Sequence, residues 1–427
     1  MERYSKYKDS GMQWLGEIPS HWDMQRWRFL LLENKEKNNG CKERTQLQFK
    51  YGDIVQKSNQ SDEADVLDTI SKYTIVSPGD IMINGLNLNY DFISQRIAQV
   101  QEHGVITSAY ISLRPTSLAN SRYYTYLLKS MDFRKMFHGM GTGIRLTLSY
   151  NELKNQFLPY PSTEEQNAIV TYLDDATAKI DEAIAQQQKM IDLLNERKQI
   201  IINNTVTKGL NPNATLKESG IDWIGKIPDH WIVCALKMKA RIILGKMLSN
   251  NPTSKFKYLC AKDVHYDNID TSDLKEMYFS VDERRIYEVK KGDMLIVEGG
   301  AGAGGCAIFN DDKKNIYIQN SIMIVRGKTD QLLNDYICFY MQSINKNGYI
   351  EYICNKATIP HFTKEKVGAV PIPLPPLKEQ ELIVEHINMK ITPLNEALDN
   401  CIEQIKLLQE RKQIIINDVV TGKVKVS

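Results

Sequence analysis

Four groups of residues could carry chemistry, and each meets a test set by what that chemistry requires. Gly300, Gly302 and Gly305 follow the strand-like MLIVE at 294–298 in the order G-x-G-x-x-G, a spacing that lets backbone cradle a pyrophosphate. A dinucleotide fold needs a helix next and an acidic residue about 20 positions on. CAIFN and NIYIQNS follow instead and read as more strands, so a flexible loop is expected. Glu33-Asn34-Lys35 imitates the end of a nuclease motif, but its repeat partner, beginning at Ile242, loses the acid, and a surface loop is expected there. His21 and His230 each lie in Ile-Pro-x-His-Trp with no second ligand nearby, which suits a framework histidine beside a buried Trp better than a metal ligand. Seven cysteines (Cys41, Cys234, Cys260, Cys306, Cys338, Cys354, Cys401) are odd in number and scattered without a C-x-x-C pair, which argues against a disulfide framework or a zinc ribbon. There is no P-loop and no Asp-Pro-Pro or Asn-Pro-Pro sequence of an amino-methyltransferase. No catalytic residue, metal site or cofactor is therefore expected.

The elements that must position any functional residue are organised by an internal repeat, which has priority over other signals because it dictates the fold. DSGMQWLGEIPSHWD at 9–23 recurs as ESGIDWIGKIPDHWI at 218–232, with eight of fifteen positions identical at an offset of 209. LNERKQIIINNTVT at 194–207 recurs as LQERKQIIINDVVT at 408–421, offset 214, so the second copy is five residues longer inside. Each copy reads as a framework segment, a diverged region of about 150 residues, and a helical segment. Because the end of the second copy matches the segment that leads into the first-copy framework, the chain is a circular permutation of its own repeat. Its two ends are expected to lie close together.

Length and composition agree with this layout. A chain of 427 residues exceeds one ordinary domain, and 42% hydrophobic with 25% charged residues is the usage of folded globular proteins. No apolar run reaches the roughly 18 to 20 residues that span a bilayer, and MERYSKYKDS lacks a signal-peptide core; a cytoplasmic location is expected. The net charge is only +2, so any basic surface must be local. Residues 1–161 and 211–371 each carry +3, against −3 for 162–210 and −1 for 372–427. That difference is either sampling noise or basic charge gathered in the diverged regions.

Ser162, three residues before Glu165 and just after Pro161, is a capping signal for a long helix. From there Ile169, Leu173, Ala176, Ile180, Ala183, Gln187, Met190, Leu194, Arg197 and Ile201 form a heptad seam. About 45 residues at 1.5 Å each give a rod of about 65 Å. In the second copy the seam is Ile383, Ile387, Leu394, Ala397, Cys401, Leu408 and Ile415, with Pro393 expected to kink the helix or restart it behind Thr392 as cap. Two matching stripes in one chain are most economically buried against each other as a coiled coil. In the diverged regions, runs such as 73–83, 105–115, 288–297 and 315–325 are rich in β-branched and aromatic residues, and 123–137 and 332–345 have helical spacing. Each diverged region is thus a mixed α/β (α+β) domain.

WLGEIPSHW, its echo WIGKIPDHW, the linker VTKGLNPNA at 206–214, PLPPLKEQ at 373–380 and both ERKQIIIN segments resemble the specificity subunit of type I restriction-modification systems. The resemblance covers essentially the whole chain. It implies two target-recognition domains, 1–161 and 211–371, separated by two long helices, 162–210 with its linker and 372–427, packed as an antiparallel coiled coil in a pseudo-twofold repeat. It also implies a non-catalytic, sequence-specific DNA-binding subunit that recognises a bipartite target. Such a subunit directs two methyltransferase subunits and motor-nuclease restriction subunits to double-stranded DNA, with no membrane partner. The family's DNA-facing loops precede the last strand of each domain. Here those positions hold Thr142, Arg145 and Thr147 in the first copy, and Lys356, Thr358 and His361 in the second. Because the first copy has FLPYPSTEEQ where the second has PIPLPPLKEQ, the helix starts are expected to differ slightly. The rival readings are an oligomerisation scaffold built on the coiled coil, without sequence-specific DNA reading, and a nucleotide-using enzyme.

Overall fold

The structure is a computed structural model that describes residues 2–50, 52–58, 64–92, 95–142, 146–248, 255–300, 302–328, 330–354 and 361–426. Two compact units emerge, one comprising Met1–Gln188 with Glu403–Ser427, the other Lys189–Ile402. Each unit therefore contains one diverged region, the near half of its own long helix and the far half of the other.

In the first unit a four-stranded antiparallel sheet runs in the order Leu31–Glu33, Ile111–Pro115, Ile81–Ile83, Ile97–Gln99. The β-branched residues of these short strands fill one core with the helix Ser121–Phe133, whose Tyr123, Tyr124, Leu127 and Leu128 are buried. Each such side chain contributes about 1.5–3 kcal/mol by leaving water. Asn120 starts that helix by accepting the Arg122 and Tyr123 N–H groups on its side-chain oxygen. A hairpin, Tyr7–Asp9 with Glu17–Pro19, and the pair Asp23–Arg26 with Phe157–Tyr160 complete the frame.

The second unit repeats this plan. Its sheet runs Ala240–Leu244, Ile322–Gly327, Met294–Val297, Cys306–Ile308, its packed helix is Asn334–Lys346, and Leu216–Glu218 with Lys226–Pro228 and Ile232–Ala235 with Pro371–Leu374 repeat the flanking pairs. It adds a three-stranded sheet, Lys275–Tyr278, Lys255–Leu259, Tyr317–Ile318.

Polar groups drawn into these cores are matched in both copies. Asp80 and Asp293, almost fully buried, each receive two hydrogen bonds from an arginine on the neighbouring strand, Arg114 (2.9 and 3.0 Å) and Arg326 (both 2.7 Å). Gln166 and Gln380, wholly buried in the first turn of each long helix, tie that turn to backbone. Gln166 donates to the carbonyls of Leu118 and Pro161 and accepts from Asn120 N–H; Gln380 donates to Gln331 and Pro375 and accepts from Leu333 N–H. Asn34, expected in a surface loop, is also buried: its amide reaches Ile75 O, Asp80 and Ser112, because the strand Leu31–Glu33 carries it inward.

The long helices are Thr163–Lys208 and Leu377–Val420, starting at positions 214 apart, so the starts are equivalent despite the different sequence before them. Glu165 N–H donates to Ser162 Oγ, as the capping signal requires. Within the first unit, Tyr4 bonds Glu165 while Tyr7 bonds Lys423 O, and further along Asp181 pairs with Lys412 at 2.7 Å. The partner number falls as the first rises, so the halves are antiparallel. In the second unit Gly209 abuts Glu379 while Lys198 bonds Asn395 at 3.0 Å, the same geometry at matched positions.

The seam departs from its expected course. Ile169, Leu173, Ile180, Ile383, Ile387, Cys401 and Ile415 are buried, but Met190 and Arg197 are exposed, and Ile202 and Val206 are the buried residues at the far end. A helix with 3.6 residues per turn drifts about 20° per heptad from a strict 3.5 seam, and the second unit's core captures the drifted face. Pro393 neither ends nor restarts its helix: its ring is exposed, and Thr392, the expected cap, sits mid-helix with Oγ1 donating to Asn388 O. The ends meet as expected, Lys425 N–H donating to Glu2 O at 2.9 Å.

Candidate nucleic-acid interface

In each unit the two inner strands of the four-stranded sheet are joined by a connection that lies against the segment preceding the last strand. In the first unit this is 84–96 against 141–148. Leu148 N–H donates to Gly85 O at 2.9 Å and Leu88 N–H to Leu146 O at 3.3 Å. The approach is so close that a Cβ on Gly85 would stand 2.6 Å from Leu148 O. Thr142 and Thr147 exchange backbone hydrogen bonds of 3.1 and 2.9 Å, closing a small loop with both threonines exposed. The geometry thus brings these two expected residues together, while Arg145 between them lies outside the described residues.

Arg96 organises the connection from beneath. It is wholly buried, and its guanidinium donates to the carbonyls of Asn84 (3.0 Å), Leu86 and Asp91 (both 2.7 Å). Satisfying a buried cation in this way is what makes its desolvation tolerable. Its backbone N–H donates to Asp132, whose carboxyl burial holds above the ordinary carboxylate range, with that hydrogen bond pulling the other way. Phe92 stacks on His138 at 4.6 Å, and His138 Nε2 donates to Asp91 O. Out of this scaffold stands Tyr90, 78% exposed.

In the second unit the connection is only 298–305. Gly304 N–H donates to Val297 O, and Val297 N–H to Gly305 O, both at 2.9 Å. Gly304 has φ +80° and a Cβ there would collide with Ile350, so only glycine fits. The G-x-G-x-x-G segment is therefore a tight turn between antiparallel strands and leads into no helix that could hold a phosphate. Phe362 N–H donates to Glu298 O at 2.7 Å, matching Leu148 and Gly85 of the first unit. His361 is exposed, bridges to Gly299, and its carbonyl accepts from Lys366 Nζ at 2.9 Å. Lys356 and Thr358 lie outside the described residues. Tyr352 nearby is 82% exposed, and Lys346 sits over the ring of Tyr266 at 5.0 Å.

His21 and His230 belong to the frame: each is half-exposed beside a buried Trp and pairs through Nε2 with the long helix of its own copy, His21 with Glu165 at 3.0 Å and His230 with Glu379 at 2.9 Å. Sequence reading passed over Arg96, Tyr90, Phe92 and His138. A signal was present in NGLNLNYDF, an asparagine-rich stretch between two strand-like runs, and in an arginine heading the apolar IAQV. What these surfaces offer is hydroxyls, an exposed phenol and an imidazole on rigid backing, the groups that bond base edges and phosphates.

Comparison with known proteins agrees along most of the chain. The family model described as type I restriction modification DNA specificity domain matches residues 99–191 and 239–407. The type I restriction enzyme MjaVIII specificity subunit of Methanocaldococcus jannaschii is 24% identical over 371 residues, covering 83% of this chain and 81% of the relative. A protein of the same organism, named for the MjaX specificity subunit, is 23% identical over 435 residues, covering 96% of each. A solved chain from work on complex assembly and conformational transition of the type I R-M system superposes with a TM-score of 0.71 at 16% identity, covering 95% of this chain and 99% of its own. That last likeness carries the fold.

Proposed function

The chain belongs to the type I restriction-modification DNA specificity family, and from that premise we propose that each of its two units reads one half of a bipartite DNA target. It is a DNA sequence-recognition subunit without a catalytic role, which assembles with the other subunits of a restriction-modification complex. Among the described residues no helix is long and apolar enough to cross a membrane. In this reading two methyltransferase subunits and the motor-nuclease subunits supply the chemistry in the cytoplasm, and the target-recognition domains are 1–161 and 211–371, with 162–210 and 372–427 as the helical parts.

One observation carries the reading. The same pair of loops occupies the same topological position in both units, tied by the equivalent bonds Leu148–Gly85 and Phe362–Glu298, on frames that match residue for residue, while the loops themselves share almost nothing. An unchanging frame with divergent loops is what two readers of different half-sites need, because phosphate contacts position and base contacts specify. Thr142, Arg145 and Thr147 would contact one half-site, and Lys356, Thr358 and His361 the other. The test is a chimera in the assembled complex: replacing 24–158 with the matching region of a relative should change one half of the methylated sequence and leave the other. Change in both halves, or in neither, from a chimera that assembles and methylates, overturns the reading.

A further inference from the structure

Two antiparallel neighbouring strands need a connection of about two to five residues. The second unit makes that connection with a compact glycine turn. The first unit spends thirteen, 84–96, and stabilises them with a buried cation, so the extra length is not demanded by the fold. Arg96 draws the carbonyls of Asn84, Leu86 and Asp91 toward one point, which bends the chain over it. At the tip Asn87 takes φ +53°, a left-handed conformation that asparagine tolerates, and its carbonyl accepts from both Tyr90 and Asp91 N–H at 3.2 Å. The bend is locked on its far side to the Thr142–Thr147 loop through Leu88 N–H and Leu146 O. A 78%-exposed tyrosine on a backbone restrained from both sides is an anchor whose ordering cost is already met in the free protein.

We propose that Tyr90 is a base-reading side chain for the half-site of the first unit, and that Arg96 is its positioning residue. The proposal rests on the two-half-site reading above. The phenol can donate to or accept from a base edge in the major groove, and its ring can pack on a thymine methyl. Arg96, being wholly buried, touches no DNA and acts only through the shape of 84–91.

The experiment uses the full chain assembled with its methyltransferase partners and reads the methylated sites of a whole genome. Tyr90→Ala should lower methylation at cognate sites by about tenfold or more and admit new sites that differ at one base pair of one half-site. That half must be the one altered by the 24–158 chimera, and the other half and the spacer should be unchanged. Tyr90→Phe should keep the ring contact and lose only the hydroxyl's share of the discrimination. Arg96→Lys, which keeps the charge but not the fork, should relax the same base pair, an outcome that general destabilisation would not produce. Unchanged sites and rates in Tyr90→Ala, while the chimera still switches one half, overturn the proposal and leave the two-half-site reading intact. A uniform loss at all sites with the preference preserved also overturns it, since that marks a backbone contact. If Arg96→Lys fails to assemble, the Tyr90 variants decide alone.

Discussion

The connection between the inner strands is built in two ways in one chain. In the first unit it is long, polar and held by a buried arginine; in the second it is short and made possible by glycine. The differences extend into the helix beneath: Asp132, which accepts the Arg96 N–H, corresponds to Asn345. The frames around these connections do the opposite, repeating Asp80–Arg114 as Asp293–Arg326, Gln166 as Gln380, and Ser130–Asn417 as Ser343–Asn203. The buried polar bonds of the frame are kept because each broken one leaves an unpaired group away from water, whereas a surface connection has no such constraint. Shared stability and separate recognition thus live on different residues of the same unit.

The hardest way to break this comparison is through the frame. Arg326→Ala and Arg114→Ala should each destabilise their own unit by about 3–5 kcal/mol, since each strands a buried carboxylate. Arg114→Ala should be the milder, because Asp80 keeps the bonds from Ser77 N–H and Asn34. Urea unfolding with a spectroscopic probe in each unit measures both, and a negligible effect in either unit ends the claim of equivalent frames.

A smaller, pH-dependent effect should separate the units. Burial holds the Asp132 carboxyl above the unfolded value of about 3.9. Protonation therefore favours the folded form, so its contribution is fully present below about pH 4 and is lost as pH rises through the folded value. Relative to Asp132→Asn, the native chain should lose stability as pH climbs from 4 to 7. A pH-independent difference between the melting temperatures of the two would show that Asp132 and Asn345 are interchangeable.

The smallest effect concerns the long helices. Lys412 pairs with Asp181, while its counterpart Lys198 bonds Asn395 and takes its charge partner from Asp267. Asp181 is largely exposed, so Asp181→Asn should cost about 0.5 kcal/mol or less, and that cost should vanish at high salt. Asn395→Asp should be near neutral, since Lys198 already has a carboxylate. Unfolding free energies at low and high ionic strength check both.

Much of the fold was legible without coordinates because periodicity and repetition are local signals. The capping pattern at Ser162 marks a helix that starts at Thr163, and the strand-like runs around 73–83, 105–115, 288–297 and 315–325 hold observed strands. Reading failed where burial depends on distant partners. Asn34 looks like a loop residue, yet it is buried against Asp80 and Ser112, 46 and 78 positions away. Met190 and Arg197 keep a heptad register that the straight helix does not follow. Of the candidate contact residues, the loops were located by resemblance, but Tyr90 and Arg96 were not, since nothing in NGLNLNYDF says which side chain is held and which is offered.

The order of amino acids by itself determined the repeat, the two long helices, the α/β character of the diverged regions and the family, because identity and spacing are written along the chain. Only the tertiary structure decided that the unit boundary falls within each long helix, that a nucleotide-like glycine motif is a tight turn, and that a buried guanidinium gathers three carbonyls beneath an exposed tyrosine. These depend on which remote groups fill the hydrogen-bonding and packing requirements of a residue once water is gone, and that is a property of the folded neighbourhood rather than of any stretch of chain.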